Sequence, residues 1–413
     1  MTNFAYNYKS YILKILVISQ YFYPENFRIN DLCFSLKDRG HQVTVLTGKP
    51  NYPNGTFYKG YGFCKKKFEI INGINIYRSN LIPRGKGGGF RLFINYISFV
   101  FFGLFRLFFI KEKFDKIFVY APSPITVGYL GAFASFLFKA KPYLWVHDLW
   151  PESVKDAGGI RNTIVLSLIN LMTKSIYYFY QTILVQSPKF KEYLMAQGVS
   201  QKKIIYYPYY AESFYNIVAP QPDIEKFFSK KLNLLFAGNI GVAQSFDTII
   251  NSVKVVSDKL DAFQLIVLGE GRDKKRVIDK IESMSLTNNF KFLGSFPPEE
   301  MPKFFSSADA LIVSLKKSKI FSMTIPGKLQ SYLASGKPII GSLDGIGAEI
   351  IKESSSGYVT SSEDEIGLAK SIISFNILSE EQRSHLGANA RTYFEKEFER
   401  DRLLDKLIYI FNQ

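Results

Sequence analysis

The chain has 413 residues, 47% hydrophobic and 21% charged, too long for one ordinary domain and too apolar to be disordered. A formal net charge of +16 and a 16% aromatic content point to an anionic partner: nucleic acid, a phospholipid surface or a phosphorylated ligand. Neither of the two cysteines, Cys33 and Cys64, lies in a CxxC pair, which argues against a zinc ribbon, an iron–sulfur site or a disulfide scaffold and fits a reducing, cytosolic setting.

The charge is uneven. Residues 1–210 hold 27 Lys and Arg against 10 Asp and Glu, a net +17, whereas residues 211–413 hold 25 against 26, a net −1. The opening segment has a lysine inside its only apolar run and no small-residue cleavage site, so no secretory signal is expected.

Strand-length apolar runs alternate with helix-like segments along the chain. Leu13–Ser19 reads as a strand and Ile29–Asp38 as a helix ended by Arg39-Gly40, where glycine supplies the left-handed cap. Gln42–Thr47 is a second strand, and Lys49–Phe63 is a loop rich in Pro, Gly and Asn. Phe90–Ile110 has about the length of a bilayer span but is interrupted by Arg91, Asn95 and Arg106. It reads as a buried or interfacial helix, a helix dipping into a membrane surface, or a span. Ile117–Tyr120, Tyr143–Val146 and Ile183–Val185 complete the strands of the first half. After an irregular linker near 205–230, Leu232–Phe236 restarts the pattern, followed by a helix near Phe246–Lys259. Strands then follow at Phe263–Leu268, Phe290–Leu293, Ala310–Ser314 and Pro338–Gly341. Fully apolar strands joined by helices indicate parallel sheets covered on both faces. The expected architecture is therefore two doubly wound α/β domains, 1–205 and 206–394, with a helix over 395–413 free to return to the first. Two such domains place a cleft at the carboxyl ends of their strands.

Several strand ends carry candidate chemistry. Gly238-Asn239-Ile240-Gly241 lies between a strand and a helix, where glycines let backbone N–H groups approach a phosphate; a tight turn without a ligand is the alternative. Gly269-Glu270-Gly271-Arg272 occupies the next strand end, with Lys274–Arg276 beside it. Thr324, Pro326 and Lys328 lead into a helix over Lys328–Ala334, a plausible diphosphate cradle, unless Lys328 is an ordinary exposed helical lysine. His147-Asp148 follows a strand, suiting a base or transition-state stabiliser, although Asp148 alternatively caps the turn Pro151-Glu152-Ser153. Tyr21–Asp31 joins the first strand to the first helix and offers Glu25, Asn26 and Arg28 as polar contacts.

Together YFYPENFRIND, GHQVTVLTGKPNYPNG, LWVHDLWPES, FAGNIGVAQSF, GEGRDKKRV and IPGKLQSYLASGKPIIG resemble family 4 glycosyltransferases, most of all the bacterial branch of N-acetyl-L-fucosamine transferases and related O-antigen or capsule enzymes. The resemblance implies a GT-B fold, two Rossmann-like domains facing across a cleft, with donor bound by the second and acceptor by the first. It implies retention of anomeric configuration, a nucleotide-diphosphate sugar as substrate, UDP-linked, and neither cofactor nor metal. Gly238–Gly241 matches the family's phosphate loop, Lys328 its diphosphate lysine, and His147-Asp148 the N-domain catalytic or sugar-contacting position. The sequence departs from the family at Met323 and Ser331, where many members carry two glutamates, and at Asn239, where an Arg is usual; no partner lysine is evident near Gln244.

These features lead to expectations. The acceptor is a polyprenyl-diphosphate-linked saccharide, and the basic half faces an anionic membrane, placing the protein in the cytoplasm, peripheral at the inner face of the plasma membrane. Nucleic acid is not expected, since the positive half carries no recognisable binding motif. The alternative enzyme class is a GT-B-fold sugar-nucleotide epimerase or hydrolase.

Overall fold

The computed structural model describes residues 12–86, 88–156, 159–228, 231–260 and 262–413. The expectation of no secretory signal rests partly on residues 1–11, outside the described residues. The chain divides into two compact units, one ending its first pass at Tyr207 and regaining Leu404–Gln413, the other spanning Pro208–Leu403.

The first unit is built on β1 (Lys14–Ile18), β2 (Gln42–Gly48), β3 (Phe68–Ile71), β4 (Ile74–Ser79), β5 (Lys116–Ala121), β6 (Lys141–Val146), β7 (Thr182–Val185) and β8 (Ile204–Tyr206). Their order is β3-β4-β2-β1-β5-β6-β7-β8. The β3–β4 pair is antiparallel and the other pairs are parallel. Ile15 to Ile18 on the central β1 are fully buried, as a strand covered on both faces requires. The helix Arg28–Asp38 buries Ile29, Leu32, Cys33 and Leu36, one apolar stripe at helical spacing. It closes as expected at Gly40, whose φ of +89° lets its N–H reach Lys37 O while the His41 N–H reaches Leu36 O, a Schellman pattern.

The second unit carries β9 (Leu232–Ala237), β10 (Phe263–Leu268), β11 (Phe290–Gly294), β12 (Ala310–Ser314), β13 (Ile339–Ser342) and β14 (Gly357–Thr360). They lie in the order β11-β10-β9-β12-β13-β14, all parallel. The helices Phe246–Ser257 and Glu365–Asn376 cover one face of this sheet through Ile249, Val253, Val256, Leu368 and Ile372. In both units the order reverses beside the first strand, the switch point at which open α/β sheets bind ligands.

Two elements differ from the sequence expectation. The β3–β4 hairpin, absent from it, is turned by Asn72-Gly73 with φ of +50° and +74°, the positive pair that a two-residue type I′ turn demands. The expected helix over 395–413 is parts of two helices, Glu380–Glu397 and Arg400–Asn412. Glu399 separates them by accepting the N–H groups of Asp401 and Arg402, which starts a new helix N-terminus. In the second of these helices Phe411 packs on Phe118 and Tyr143 at 5.7 and 4.9 Å between ring centres.

The segment Phe90–Ile110 forms the helix Gly89–Leu107, long and apolar enough to cross a membrane by length and composition. Its inner face buries Asn95, Ser98, Phe99, Gly103 and Leu107. Asn95 accepts from Gln20 Nε2 at 2.7 Å and donates to Ile82 O at 2.6 Å, and Ser98 Oγ accepts from the Ile82 N–H at 2.9 Å. The outer face leaves Phe90, Phe93, Ile97, Phe101 and Phe105 exposed.

Candidate active site

In the second unit the glycine turns after β9 and β10 are stitched together at backbone level. Gly238 N–H donates to Leu268 O at 2.9 Å, Ile240 N–H to Glu270 O at 2.9 Å and Gly269 N–H to Gly294 O at 2.7 Å. The approach leaves no room for a side chain: a Cβ on Gly269 would lie 2.0 Å from Gly238 O, and one on Gly271 would lie 1.9 Å from Ile240 O.

Lys328 enters this cradle from the helix Gly327–Ala334. The helix is pinned to the end of β9 by Tyr332, whose hydroxyl accepts the Ala237 N–H at 2.9 Å and donates to Ala237 O at 3.3 Å. Lys328 Nζ donates to Gln244 Oε1 at 2.7 Å, sits 3.6 Å from the centre of the Phe236 ring and would be 3.2 Å from a Cβ on Gly238. Burial pulls its ammonium down to about 7, because desolvation disfavours the charged form. The arrangement explains the missing loop lysine: Gln244 meets the amine of Lys328, which reaches in from the helix. The sequence reading missed Gln244, Phe236 and Tyr332 as members of this cluster.

The other candidates divide. Pro326 is the buried N-cap of the Lys328 helix. Thr324 Oγ1 donates to Ile320 O at 2.8 Å, closing the preceding short helix. Asn239 is exposed and its Nδ2 lies over Gly241, 2.6 Å from where a Cβ would stand. Arg272 is exposed one residue beyond Gly271. The cations beyond it serve carboxylates: Lys274 pairs with Glu270 at 2.7 Å, and Arg276 with Asp273 and Asp247 at 2.7 and 2.9 Å.

In the first unit His147 is 8% exposed at the end of β6. Its ring lies 4.1 Å from that of Trp145 and 4.9 Å from that of Tyr120. Burial, then the charge of Arg28, hold the imidazole well below its ordinary range, so it is neutral near pH 7. Arg28, the first residue of its helix, and His147 thus share one end of the sheet. Asp148 follows the capping alternative: its carboxylate accepts the Ser153 hydroxyl. Burial raises its affinity for a proton, opposed by that hydrogen bond.

Glu25 corrects the expectation of a direct polar contact. It is 1% exposed, and its Oε1 accepts the N–H groups of Asn51 and Tyr52 at 2.8 and 2.7 Å, tying the loop after β2 to the loop after β1. Asn26, beside it, is exposed. Burial pushes the Glu25 carboxyl up to about 7. Between the ordinary carboxylate range and pH 7 the folded chain therefore holds a proton that the unfolded chain releases, and this group's contribution to stability is lost as pH rises through that window. The substitution Glu25→Gln keeps the acceptor and removes the titration. Its Tm is expected to vary less than wild type between pH 5 and about 7.5; parallel Tm–pH curves would refute the assignment.

Residues 219–393 match the family Glycosyl transferases group 1. Escherichia coli (strain K12) WcaI, assigned by name to colanic acid biosynthesis as a glycosyl transferase, is 22% identical over 339 residues, 78% of this chain and 82% of that protein. Sucrose-phosphate synthase from Thermosynechococcus elongatus superposes with a TM-score of 0.74 at 18% identity, covering 97% of this chain and 98% of that one. Anabaena HepE, solved with UDP and glucose, superposes at 0.69 and 14% identity over 97% and 100% of the two chains. The chain therefore has the GT-B fold, two Rossmann-like α/β domains with parallel sheets, and the match to the group 1 glycosyltransferase family lies within its second unit.

Proposed function

We propose that this protein is a retaining glycosyltransferase that moves a sugar from a UDP-linked donor to a polyprenyl-diphosphate-linked saccharide in cell-surface polysaccharide synthesis. The observation that carries the donor half is Lys328 Nζ beneath the Gly238 turn, held by Gln244 and Phe236. A diphosphate laid across the two glycine turns meets backbone that approaches without side chains and an amine that gains a proton from the encounter. As the glycosidic bond to the leaving phosphate breaks through an oxocarbenium-like transition state, negative charge grows on the diphosphate oxygens, and a preorganised Lys328 stabilises that charge. His147, neutral and enclosed, and Arg28 beside it suit sugar contacts on the acceptor side. The donor is an N-acetylated amino or deoxy sugar, from the resemblance to the N-acetyl-L-fucosamine transferase branch. WcaI, matched over most of both chains, supports a place in polysaccharide synthesis.

The membrane half of the reading rests on the net +17 of residues 1–210 and the exposed aromatic stripe of the helix Gly89–Leu107. Basic residues near an anionic leaflet contribute about 1 kcal/mol each. On this reading the protein works at the cytoplasmic face of the plasma membrane.

The test incubates the purified protein with UDP-sugars, with and without a synthetic polyprenyl-diphosphate glycan, and follows UDP release and product mass. Acceptor-dependent UDP release with an α- or β-linkage matching the donor anomer is the expected result. Free sugar and UDP in the absence of acceptor, with no glycan product, would instead establish the hydrolase or epimerase alternative.

A further inference from the structure

The helix Val127–Phe138 sits between two others in the first unit. On one side Phe133 meets Phe108 at 5.8 Å between ring centres, and Leu130 fills the space above Gly103 of the helix Gly89–Leu107. On the other side Tyr129 Oη lies 2.7 Å from Ser175 Oγ, and Ile176 packs over Gly128, so the helix Thr163–Phe179 lies alongside. The three helices form one layer.

The helix Thr163–Phe179 buries only Thr173, Ile176 and Tyr177. Its outer side carries Ile164, Leu168 and Leu171 at one-turn intervals, with Leu168 62% and Leu171 67% exposed. Phe136 of the middle helix is 83% exposed, and Phe101 and Phe105 are exposed on the first. Scattered apolar residues on a surface are ordinary, but stripes on adjacent helices mark an interface.

Charge indicates the occupant. The stretches 84–113, 127–141 and 159–181, which include these helices and their ends, hold ten Lys or Arg and one acidic residue, Glu112. That carboxylate is engaged by the Tyr77 hydroxyl and the Asn75 amide. A second copy docked here about a two-fold axis would set like charges against each other. An anionic lipid surface neutralises them while its acyl region receives the Leu, Ile and Phe side chains.

We propose that the helix Thr163–Phe179 is a second lipid-binding element, so that the protein rests on an anionic bilayer through the whole three-helix layer and not through the helix Gly89–Leu107 alone. This rests on the membrane-surface reading above and extends it to a surface of stated composition and orientation.

The experiment measures binding of the full chain to phosphatidylcholine vesicles with and without about one-third phosphatidylglycerol. Wild type is compared with Leu168→Gln/Leu171→Gln and with Phe101→Gln/Phe105→Gln, all at exposed positions, after matched Tm values confirm folding. Each pair is expected to weaken binding to the anionic vesicles by about tenfold or more, since two apolar side chains no longer enter the acyl boundary. Wild-type binding by the Leu168/Leu171 variant together with loss in the Phe101/Phe105 variant would overturn this proposal and leave the membrane reading standing. Failure of wild type to bind any vesicle would overturn both. A wild-type dimer that the Leu168/Leu171 variant converts to monomer, with vesicle binding unchanged, would assign the surface to a second copy and overturn the proposal.

Discussion

Lys328→Ala is expected to lower kcat/KM for glycosyl transfer by about a hundredfold or more, the scale on which one preorganised donor to a developing anion acts. UDP affinity should fall with it, because a charge-assisted contact is lost in the ground state as well. The wild-type enzyme should show a pH signature that the variant lacks. In the ligand-free protein burial places the ammonium near 7, so above that pH the amine is largely neutral and must take up a proton to meet the diphosphate. UDP affinity is therefore expected to weaken as pH rises from about 7 to 9, by up to about tenfold per unit, as proton linkage requires. The terminal phosphate of UDP finishes ionising near the bottom of that range, so titration calorimetry from about pH 8 upward isolates the lysine, and in two buffers it reports the proton uptake directly. Pyrophosphate-independent binding with a flat pH profile in wild type would remove Lys328 from the site. Lys328→Arg is not a conservative test, because it sets a planar fork in place of a compact ammonium beside Phe236, Gln244 and the Gly238 backbone.

Gly269→Ala is expected to damage the second unit severely for a single added methyl group. Its φ of +134° lies where an L side chain is strained, and the new Cβ would stand 2.0 Å from Gly238 O. Strain and overpacking together cost about 2–5 kcal/mol, or roughly 5–15 °C in the melting of a unit this size. The turn that yields is the one above Lys328, so UDP binding should be lost in whatever fraction remains folded. Gly198→Ala provides the contrast: its φ is also positive, at +91°, but nothing lies within 4 Å of the added carbon. A similar Tm loss in both variants would show that conformation alone, and not the stitching of the two turns, makes Gly269 necessary.

Much of the architecture was legible because buried parallel strands announce themselves as unbroken apolar runs, and LKILVIS, LNLLF and FQLIVL needed no partner to be read. The β3–β4 hairpin escaped although Asn72-Gly73 carries the turn chemistry, since its strands are short and mixed in polarity at the sheet edge. The site was legible where a local device makes it: glycines at strand ends, and Pro-Gly-Lys opening a helix. It was not legible where the contact is distant. Gln244 and Lys328 are 84 residues apart, and the Tyr332 hydroxyl reaches backbone atoms 95 residues away. Glu25 was misplaced for a related reason: its partners are the N–H groups of Asn51 and Tyr52, and a backbone donor has no letter in the sequence. Likewise Arg276 was available on paper, and only the fold shows that Asp247 and Asp273 hold it.

The amide of Asn95 gives the helix Gly89–Leu107 a fixed posture. To stand upright as a bilayer span, that helix would have to withdraw Asn95 from Gln20 and Ile82 O, and Ser98 from the Ile82 N–H. Each polar group stranded away from water costs about 1–3 kcal/mol, and hydrocarbon offers none of them a replacement partner. A segment with a transmembrane length is thus moored like a keel along its own sheet, and the polar residue interrupting its apolar run is the mooring.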